Sequence, residues 1–243
     1  MDQLVQNVPE ILKRQKAWVG YVLKKRKDRT DKIPMDVMKA RPAKSNDPST
    51  WTDFDMALDL ADQRGYDGIG FMFQPPFVGV DLDHCVDEKG NISTFALDVI
   101  KQLNCYCEYS PSERGIHLIC QGEISRARKI SNLGLEVYTK GRFFTVTGNR
   151  LEEYSGQVDE RSKELSVILK KNASKNSVDQ RVKQMLKLIQ ASKDADKFQK
   201  LFDGDWTQDV QRCRGPGLLQ RQHPDHELKL RRIRYIRLHI WRV

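Results

Sequence analysis

Short apolar segments with a period of two constrain the fold of this chain more than any other feature of its sequence. They are rich in β-branched and aromatic residues, and turns that contain Gly or Pro separate most of them, which is typical of β-strands. Because most connections are short, the strands are expected to pair as antiparallel hairpins. The seven predicted strands are 17–23, 67–73, 77–85, 106–110, 115–122, 133–139 and 142–148.

Two amphipathic helices are predicted among these strands. The first begins at Thr52 or Asp53, which are favourable N-caps, and ends at Gly65. The second begins at Ser93 or Thr94, directly after a predicted strand, and therefore forms a crossover. The apolar face of the first helix consists of Phe54, Ala57, Leu58 and Ala61. Strands and helices together predict one α+β unit.

Two stretches of this unit, 24–36 and 39–51, have no clear periodicity and are predicted to be basic loops. The whole chain has 42 Lys and Arg against 33 Asp and Glu, a net charge of +9. Nine of these basic residues, with only two acids, lie between Gln211 and Val243, so the preceding residues are close to neutral. Affinity for nucleic acid is therefore expected from the local basic loops, near Lys32 and Arg41.

Composition favours a cytoplasmic protein that does not enter a membrane. No apolar run approaches the roughly 20 residues that span a bilayer, and the first residues contain no signal-peptide core. Five cysteines without a repeated spacing suit a reducing compartment. Only Cys105 and Cys107 approach the spacing of zinc ligands, and packed thiols are the simpler interpretation.

The carboxyl-terminal part has a different pattern from the α+β unit. We expect a domain at 1–152, a helix and linker at 153–175, a helical segment at 176–209 and a basic tail at 210–243. The tail mixes Arg with Pro, Gly and His in a way that few folded domains do. A shifted reading frame that leaves a disordered, non-native tail is the preferred interpretation, and a basic arm that binds DNA is the alternative.

Asp81 and Asp83 are the sharpest functional feature of the sequence. Side chains alternate across a strand, so the two carboxylates are expected on one face, with Val80 and Leu82 in the core. Neighbouring carboxylates repel each other unless a cation neutralises them, and Mg²⁺ prefers such oxygen ligands. The pattern favours a metal site, and a strand end that emerges into water is the alternative.

Two further features are ambiguous when taken singly. A tight turn at 110–115 precedes His117 on an apolar strand, and Ser112 with His117 can donate hydrogen bonds to a phosphate. A packed and satisfied histidine is the commoner role of such a residue. Glu136 is an isolated acid in a strand, which is costly to bury unless it is paired or metal-bound; a strand face open to water is the alternative. Arg142 begins the next strand.

Taken in order, these features resemble the three motifs of a known family. DLDH at 81–84, SPSERGIH at 110–117, and LEVY with GRFFTVTG within 135–148 are similar to the motifs of the archaeo-eukaryotic primase superfamily. The closest likeness is to the primase-polymerases of phages, prophages and plasmids, and it covers about residues 8–150. The family commonly has Gly where this chain has Glu113.

The resemblance implies an α+β fold with an RRM-like catalytic core, a small α/β unit at the amino terminus and a helical carboxyl-terminal segment. It implies a nucleotidyltransferase, a DNA primase-polymerase, in which Asp81, Asp83 and Glu136 bind Mg²⁺ or Mn²⁺ and are catalytic. Two such ions activate the attacking hydroxyl and stabilise the leaving pyrophosphate.

The resemblance also implies that Ser112 and His117 contact the phosphates of the incoming nucleotide. We expect Lys32 and Arg142 to screen the same triphosphate. The expected partners are a single-stranded DNA template and NTP or dNTP, and a helicase region that normally follows would be lost in this chain. A catalytically inactive protein that binds a replication origin or single-stranded DNA is the alternative on the same fold, and a metal-dependent nuclease is another.

Overall fold

The computed structural model describes residues 2–27, 29–172 and 187–188. All of them except the last pair belong to one compact unit. The predicted tail at 210–243 lies outside the described residues. Of the predicted helical segment at 176–209, only residues 187–188 lie within them, and they are helical.

Ten strands account for most of the regular structure of this unit. They are β1 (Trp18–Lys25), β2 (Thr30–Asp36), β3 (Arg41–Pro42), β4 (Gly68–Met72), β5 (Phe77–Leu82), β6 (Tyr106–Tyr109), β7 (Ile116–Gln121), β8 (Arg128–Ile130), β9 (Leu135–Tyr138) and β10 (Phe143–Val146). The helices are α1 (Asp2–Asn7), α2 (Glu10–Lys13), α3 (Phe54–Gln63) and α4 (Thr94–Leu103), with 3₁₀ turns at Pro48–Thr50 and Ser131–Leu133 and further helical residues at 162–172. All seven predicted strands and both predicted helices are present, so the α+β class is confirmed.

The strands form two antiparallel sheets of five strands each. Sheet A has the order β10-β4-β1-β2-β3, and sheet B has the order β6-β7-β5-β9-β8. In sheet B, β5 and β6 both pair antiparallel to β7, so they run in the same direction. Helix α4 connects these two parallel strands and is the predicted crossover.

Sheet B is buried on both faces. On one face, Val80 and Leu82 belong to an apolar cluster that includes Leu103 of α4. On the other face, sheet B packs against sheet A. Gly79 permits this close approach, because a Cβ atom there would lie 2.5 Å from the ring of Phe73. The prediction that Val80 and Leu82 point into the core is confirmed.

Helix α3 covers sheet A, with contacts to β1 and β4. The Asp53 side chain caps the helix by accepting a hydrogen bond from the Met56 amide at 2.9 Å. Ser93 caps α4 in the same way, through the Ala96 amide. The predicted apolar face of α3 is buried, and it consists of Phe54, Ala57, Leu58 and Ala61.

The prediction of a loop at 24–36 is wrong. Strand β1 continues to Lys25, and β2 occupies Thr30–Asp36, so this stretch contains the end of one strand of a β-hairpin and the whole of the other. The backbone ladder of the hairpin runs from the pair Gly20 and Met35 to the pair Lys25 and Thr30. Backbone pairing stabilises this stretch although its side chains are mostly polar.

The described cysteines are free thiols in the core. Cys85, Cys105, Cys107 and Cys120 are all buried. Burial raises the pKa of Cys85 to about 11 and that of Cys107 to about 12, which makes them poor nucleophiles at neutral pH. No helix in the described part of the chain has the length and apolar composition needed to cross a bilayer.

Candidate active site

A row of polar side chains crosses sheet B, with one residue on each strand. The register pairs Glu108 with His117, His117 with Asp81, Asp81 with Glu136, and Glu136 with Lys129. Directly opposed residues share a face of the sheet, so all five lie on the face that packs against sheet A. Residues far apart in the sequence therefore meet in one line.

A pocket of about 250 Å³ lies over the middle of this row. Both sheets contribute to it, together with the turn between β9 and β10. It is lined by Lys32, Asp81, His117, Glu136, Tyr138, Arg142, Phe143, Phe144 and Thr145. Five of the residues that the sequence singles out thus share one pocket: Lys32, Asp81, His117, Glu136 and Arg142.

Asp81 occupies the central strand and lacks a close positive partner among the described residues. Burial raises the pKa of Asp81, and the nearby carboxylates of Asp83 and Glu136 raise it further. His117 and Lys32 oppose this shift, although the His117 Nε2 atom is 4.0 Å from Asp81 Oδ1. Ionised Asp81 is therefore destabilised mainly by its burial and in part by its acidic neighbours.

Glu136 is satisfied by neighbours on its own sheet. Its carboxylate contacts the Lys129 ammonium across the strand pair and accepts a hydrogen bond from the Tyr138 hydroxyl. Burial alone would raise the pKa of Glu136, but the Lys129 and Tyr138 hydrogen bonds outweigh it, and the pKa is lowered. The guanidinium of Arg142 lies over the Tyr138 ring, 5.0 Å from its centroid.

His117 is both packed and directed at the pocket. Its Nδ1–H group donates a hydrogen bond to the Thr145 carbonyl at 3.1 Å, and the ring stacks on Phe144 with centroids 4.8 Å apart. This leaves Nε2 on the side of Asp81 and the pocket. The two interpretations of this histidine are therefore compatible: one nitrogen anchors the ring, and the other is free to contact a ligand.

Glu108 is a site residue that the sequence analysis missed. It is fully buried behind His117, with Oε1 at 3.7 Å from the imidazole Nδ1. Its carboxylate accepts hydrogen bonds from the Tyr106 hydroxyl at 2.7 Å, the Thr147 amide at 3.0 Å and the Gly148 amide at 2.9 Å. It thus ties β6 to the segment that leaves β10. The signal was present, because Glu108 is the one acid in an apolar strand, as Glu136 is.

Asp83 does not line the pocket. Strand β5 ends at Leu82, and the exposed Asp83 side chain contacts His84 Nδ1 at 2.9 Å. The Asp83 amide donates to the Gly134 carbonyl at 2.8 Å. Asp83 is nevertheless close enough to act electrostatically on Asp81 and on Lys32.

Ser112 also lies apart from the pocket that contains His117. It lines a separate pocket of about 420 Å³, together with Tyr109, Glu113 and Arg114. The Ser112 hydroxyl is 3.2 Å from that of Ser110. The structure therefore places the predicted phosphate ligands Ser112 and His117 in two different pockets.

A comparison with known proteins gives the family of this chain. No protein-family model matches the chain. A curated relative does: the chain is 32% identical over 175 residues to the DNA primase-polymerase of Nitratiruptor phage NrS-1. The alignment covers 68% of this chain. Over the matched stretch, the chain belongs to the phage-type primase-polymerase family. It spans only 23% of the length of that phage protein.

The departure from the family pattern at Glu113 leaves the turn intact. Glu113 has a φ of 55°, in the left-handed region that favours glycine. Its amide donates to the Ser110 carbonyl at 2.8 Å, so the turn is closed. The primase-polymerase turn is thus kept at the cost of some backbone strain, and a carboxylate is added to the pocket that contains Ser112.

The donor chemistry of the site fits a hard divalent cation. Asp81, Asp83 and Glu136 offer carboxylate oxygens, which are the ligands that Mg²⁺ prefers, and burial raises the pKa of Asp81. Within residues 2–27, 29–172 and 187–188, however, no three His, Cys, Asp or Glu side chains are gathered as ligands of a single ion. Lys129 and Tyr138 occupy the oxygens of Glu136 instead.

Gly134 fixes the position of Asp83, which predicts the effect of a small substitution. A Cβ atom at Gly134 would lie 2.4 Å from the Asp83 carbonyl oxygen, and φ is 62° there. Gly90 also has a positive φ, of 81°, but open space around it. We expect Gly134→Ala to lower the free energy of unfolding by at least about 1 kcal/mol more than Gly90→Ala, which carries only the left-handed penalty of about 1–2 kcal/mol. Urea unfolding of both variants measures this, and equal losses would contradict it.

Proposed function

We propose that this chain is the catalytic domain of a DNA primase-polymerase, which transfers nucleotides to a growing strand as a template directs. The observation that carries the proposal is the pocket in which Asp81 and Glu136 face Lys32, His117 and Arg142. Carboxylates for divalent ions next to cations for a triphosphate are the chemistry that phosphoryl transfer needs. The similarity to a phage DNA primase-polymerase supports the same reaction.

The topology of sheet B supports an RRM-like catalytic core. The strand order β6-β7-β5-β9-β8 places β5, the first of these strands in the sequence, at the centre, and α4 connects it to β6 at one edge. This arrangement puts Asp81 on a central strand, where neighbours on both sides can contribute side chains to one face. In this proposal, strands β1–β4 and α3 form the small α/β unit at the amino terminus.

In this proposal, Asp81, Asp83 and Glu136 hold the metal ions. Two Mg²⁺ or Mn²⁺ ions, when bound, supply charge stabilisation and a more nucleophilic 3′ hydroxyl. Because Asp81 is desolvated and repelled by its acidic neighbours, its carboxylate favours a cation strongly.

The basic groups of the pocket are proposed to bind the triphosphate. His117 presents Nε2 to it on a ring that Thr145 and Phe144 hold in place. The Lys32 ammonium contacts the Thr145 hydroxyl at 3.4 Å, and burial lowers the pKa of Lys32, while Asp81, Asp83 and Glu108 oppose this shift. Arg142 is positioned by the Tyr138 ring. Ser112 contributes to phosphate binding from the neighbouring turn.

An incorporation assay tests the proposal. The chain is incubated with a primed or unprimed single-stranded template, labelled NTP or dNTP, and Mg²⁺ or Mn²⁺. We expect incorporation that follows the template, releases pyrophosphate and stops when the metal is chelated. DNA binding without incorporation under any of these conditions would favour the inactive origin-binding alternative. Shortened template without pyrophosphate release would identify a nuclease instead.

A further inference from the structure

Strands β1 and β2 continue beyond the rest of sheet A as a two-stranded arm. Strand β1 pairs with β4 only through Trp18–Tyr21, whereas it pairs with β2 as far as Lys25. Strand β2 pairs with β3 only at Met35 and Asp36. Within the described residues, 22–25 and 30–33 therefore have strand partners only in each other. We call this pair of segments, with the turn that joins them, the β1–β2 arm.

The β1–β2 arm is strongly basic. Residues 24–32 contain six Lys and Arg and two Asp. The basic residues are Lys24, Lys25, Arg26, Lys27, Arg29 and Lys32. All six are exposed as whole residues, although the Lys32 ammonium is partly buried where it lines the pocket. Asp31 neutralises part of this charge, because it pairs with Arg26 and with Arg29. Among the described residues, Lys24, Lys25 and Lys27 take part in no ion pair.

One face of the arm leads from the candidate active site to the tip. Lys32 lines the pocket, and Leu23 lies directly opposite Lys32 on the same face. Lys25 and Thr30 form the next pair on this face, about 6.7 Å farther along the strand. Lys24 is paired with Asp31 on the other face. Lys24 and Lys25 are neighbours in the chain, but their side chains thus point to opposite faces of the arm.

We propose that the face of the β1–β2 arm with Leu23 and Lys25, which leads to Lys32 at the pocket, binds the phosphate backbone of a single nucleic-acid strand that enters the pocket. This rests on the proposed function, which requires a template strand at the pocket. Exposed cations along a ribbon suit a chain of phosphates, and such contacts position a strand without reading its sequence. Leu23 is 42% exposed next to the pocket, so it offers an apolar surface to a base.

A comparison of Lys25→Ala with Lys24→Ala tests this inference. Binding of a fluorescein-labelled oligothymidylate is measured by anisotropy at several salt concentrations, without nucleotide or divalent metal. Each phosphate contact that is lost reduces the slope of log K against log salt by about 0.7 for a single strand. We expect this reduction for Lys25→Ala and an unchanged slope for Lys24→Ala.

The comparison of Lys25→Ala with Lys24→Ala distinguishes binding to one face of the arm from general electrostatic attraction to the whole arm. Both lysines are exposed neighbours on β1, so both variants should fold, which thermal unfolding by circular dichroism checks. Equal weakening by both variants, or weakening by neither, would overturn the inference. The result is independent of catalysis: if incorporation fails while the two variants differ, only the proposed function falls. If the chain incorporates nucleotides while both variants bind the oligothymidylate normally, only the role of the arm is contradicted.

Discussion

Asp81→Asn is expected to reduce nucleotide incorporation by at least about 10³-fold, because charge stabilisation by a bound metal contributes several kcal/mol and each 1.4 kcal/mol is a factor of ten. The amide keeps the size of the carboxylate but cannot carry the charge that holds a divalent ion. Asp81 is the central residue of the polar row, with His117 on one side and Glu136 on the other. No described neighbour is placed to replace it.

The fold should survive this substitution. Burial raises the pKa of Asp81, so the charged carboxylate destabilises the folded chain at neutral pH and loses this effect as the pH falls through the raised pKa. We therefore expect Asp81→Asn to unfold in urea at or above the midpoint of the unaltered chain at pH 7. Asp59→Asn, at an exposed position of α3, is the control and should leave both properties unchanged. Incorporation by Asp81→Asn above about one tenth of the normal rate would contradict the proposed role of Asp81 as a metal ligand.

Glu108→Ala is expected to lower the free energy of unfolding by about 3–4 kcal/mol. Three donors would lose their acceptor in a site without water access: the Tyr106 hydroxyl and the amides of Thr147 and Gly148. Each buried donor without a partner destabilises by about 1–3 kcal/mol, and entry of water relieves part of this. The imidazole of His117 would also lose the carboxylate beside it.

Urea unfolding measures this loss, and two other variants calibrate it. Glu88→Ala removes a carboxylate that is 89% exposed, so we expect a change within about 0.5 kcal/mol. Glu108→Gln keeps the shape and one acceptor oxygen, and its loss should lie between the two. If Glu108→Ala were destabilised by less than about 1 kcal/mol, the carboxylate would not hold the segment after β10 as the hydrogen bonds indicate.

Most strands and both main helices followed from local patterns, because their apolar residues form short runs or recur with the period of the element. Alternation also predicted correctly that Val80 and Leu82 face the core while Asp81 faces away. The site itself depends on register between distant strands. No local pattern specifies that Glu136 lies opposite Asp81, or that Lys129 lies opposite Glu136. The family resemblance, rather than spacing, grouped Asp81 with Glu136, and Lys129 was not predicted.

The sequence pattern predicts a loop at 24–36 instead of the strands of the β1–β2 arm for a physical reason. A strand is recognised in a sequence by the contrast between a buried and an exposed face. In the arm both faces are exposed or only partly covered, so polar residues occupy successive positions and the period disappears. The backbone hydrogen bonds that stabilise the arm do not depend on side-chain composition, so the sequence pattern does not reveal them.

Asp83 shows the limit of alternation in another way. The argument for a common face with Asp81 assumes that the strand continues, but pairing of β5 with β7 and β9 stops at Leu82. Left-handed His84 then redirects the chain, with a φ of 53°. Strand ends are set by the partners, which the sequence of one strand does not contain.

The polar row across sheet B also has a consequence for how faithfully the chain folds. If β5 shifted by one residue against its neighbours, Asp81 would enter the apolar layer under α4, and Val80 or Leu82 would replace it at the pocket. The same holds for Glu108 in β6, His117 in β7 and Glu136 in β9. Misaligned chains are thus expected to be unstable, and molecules that resist proteolysis are expected to have the polar row in line.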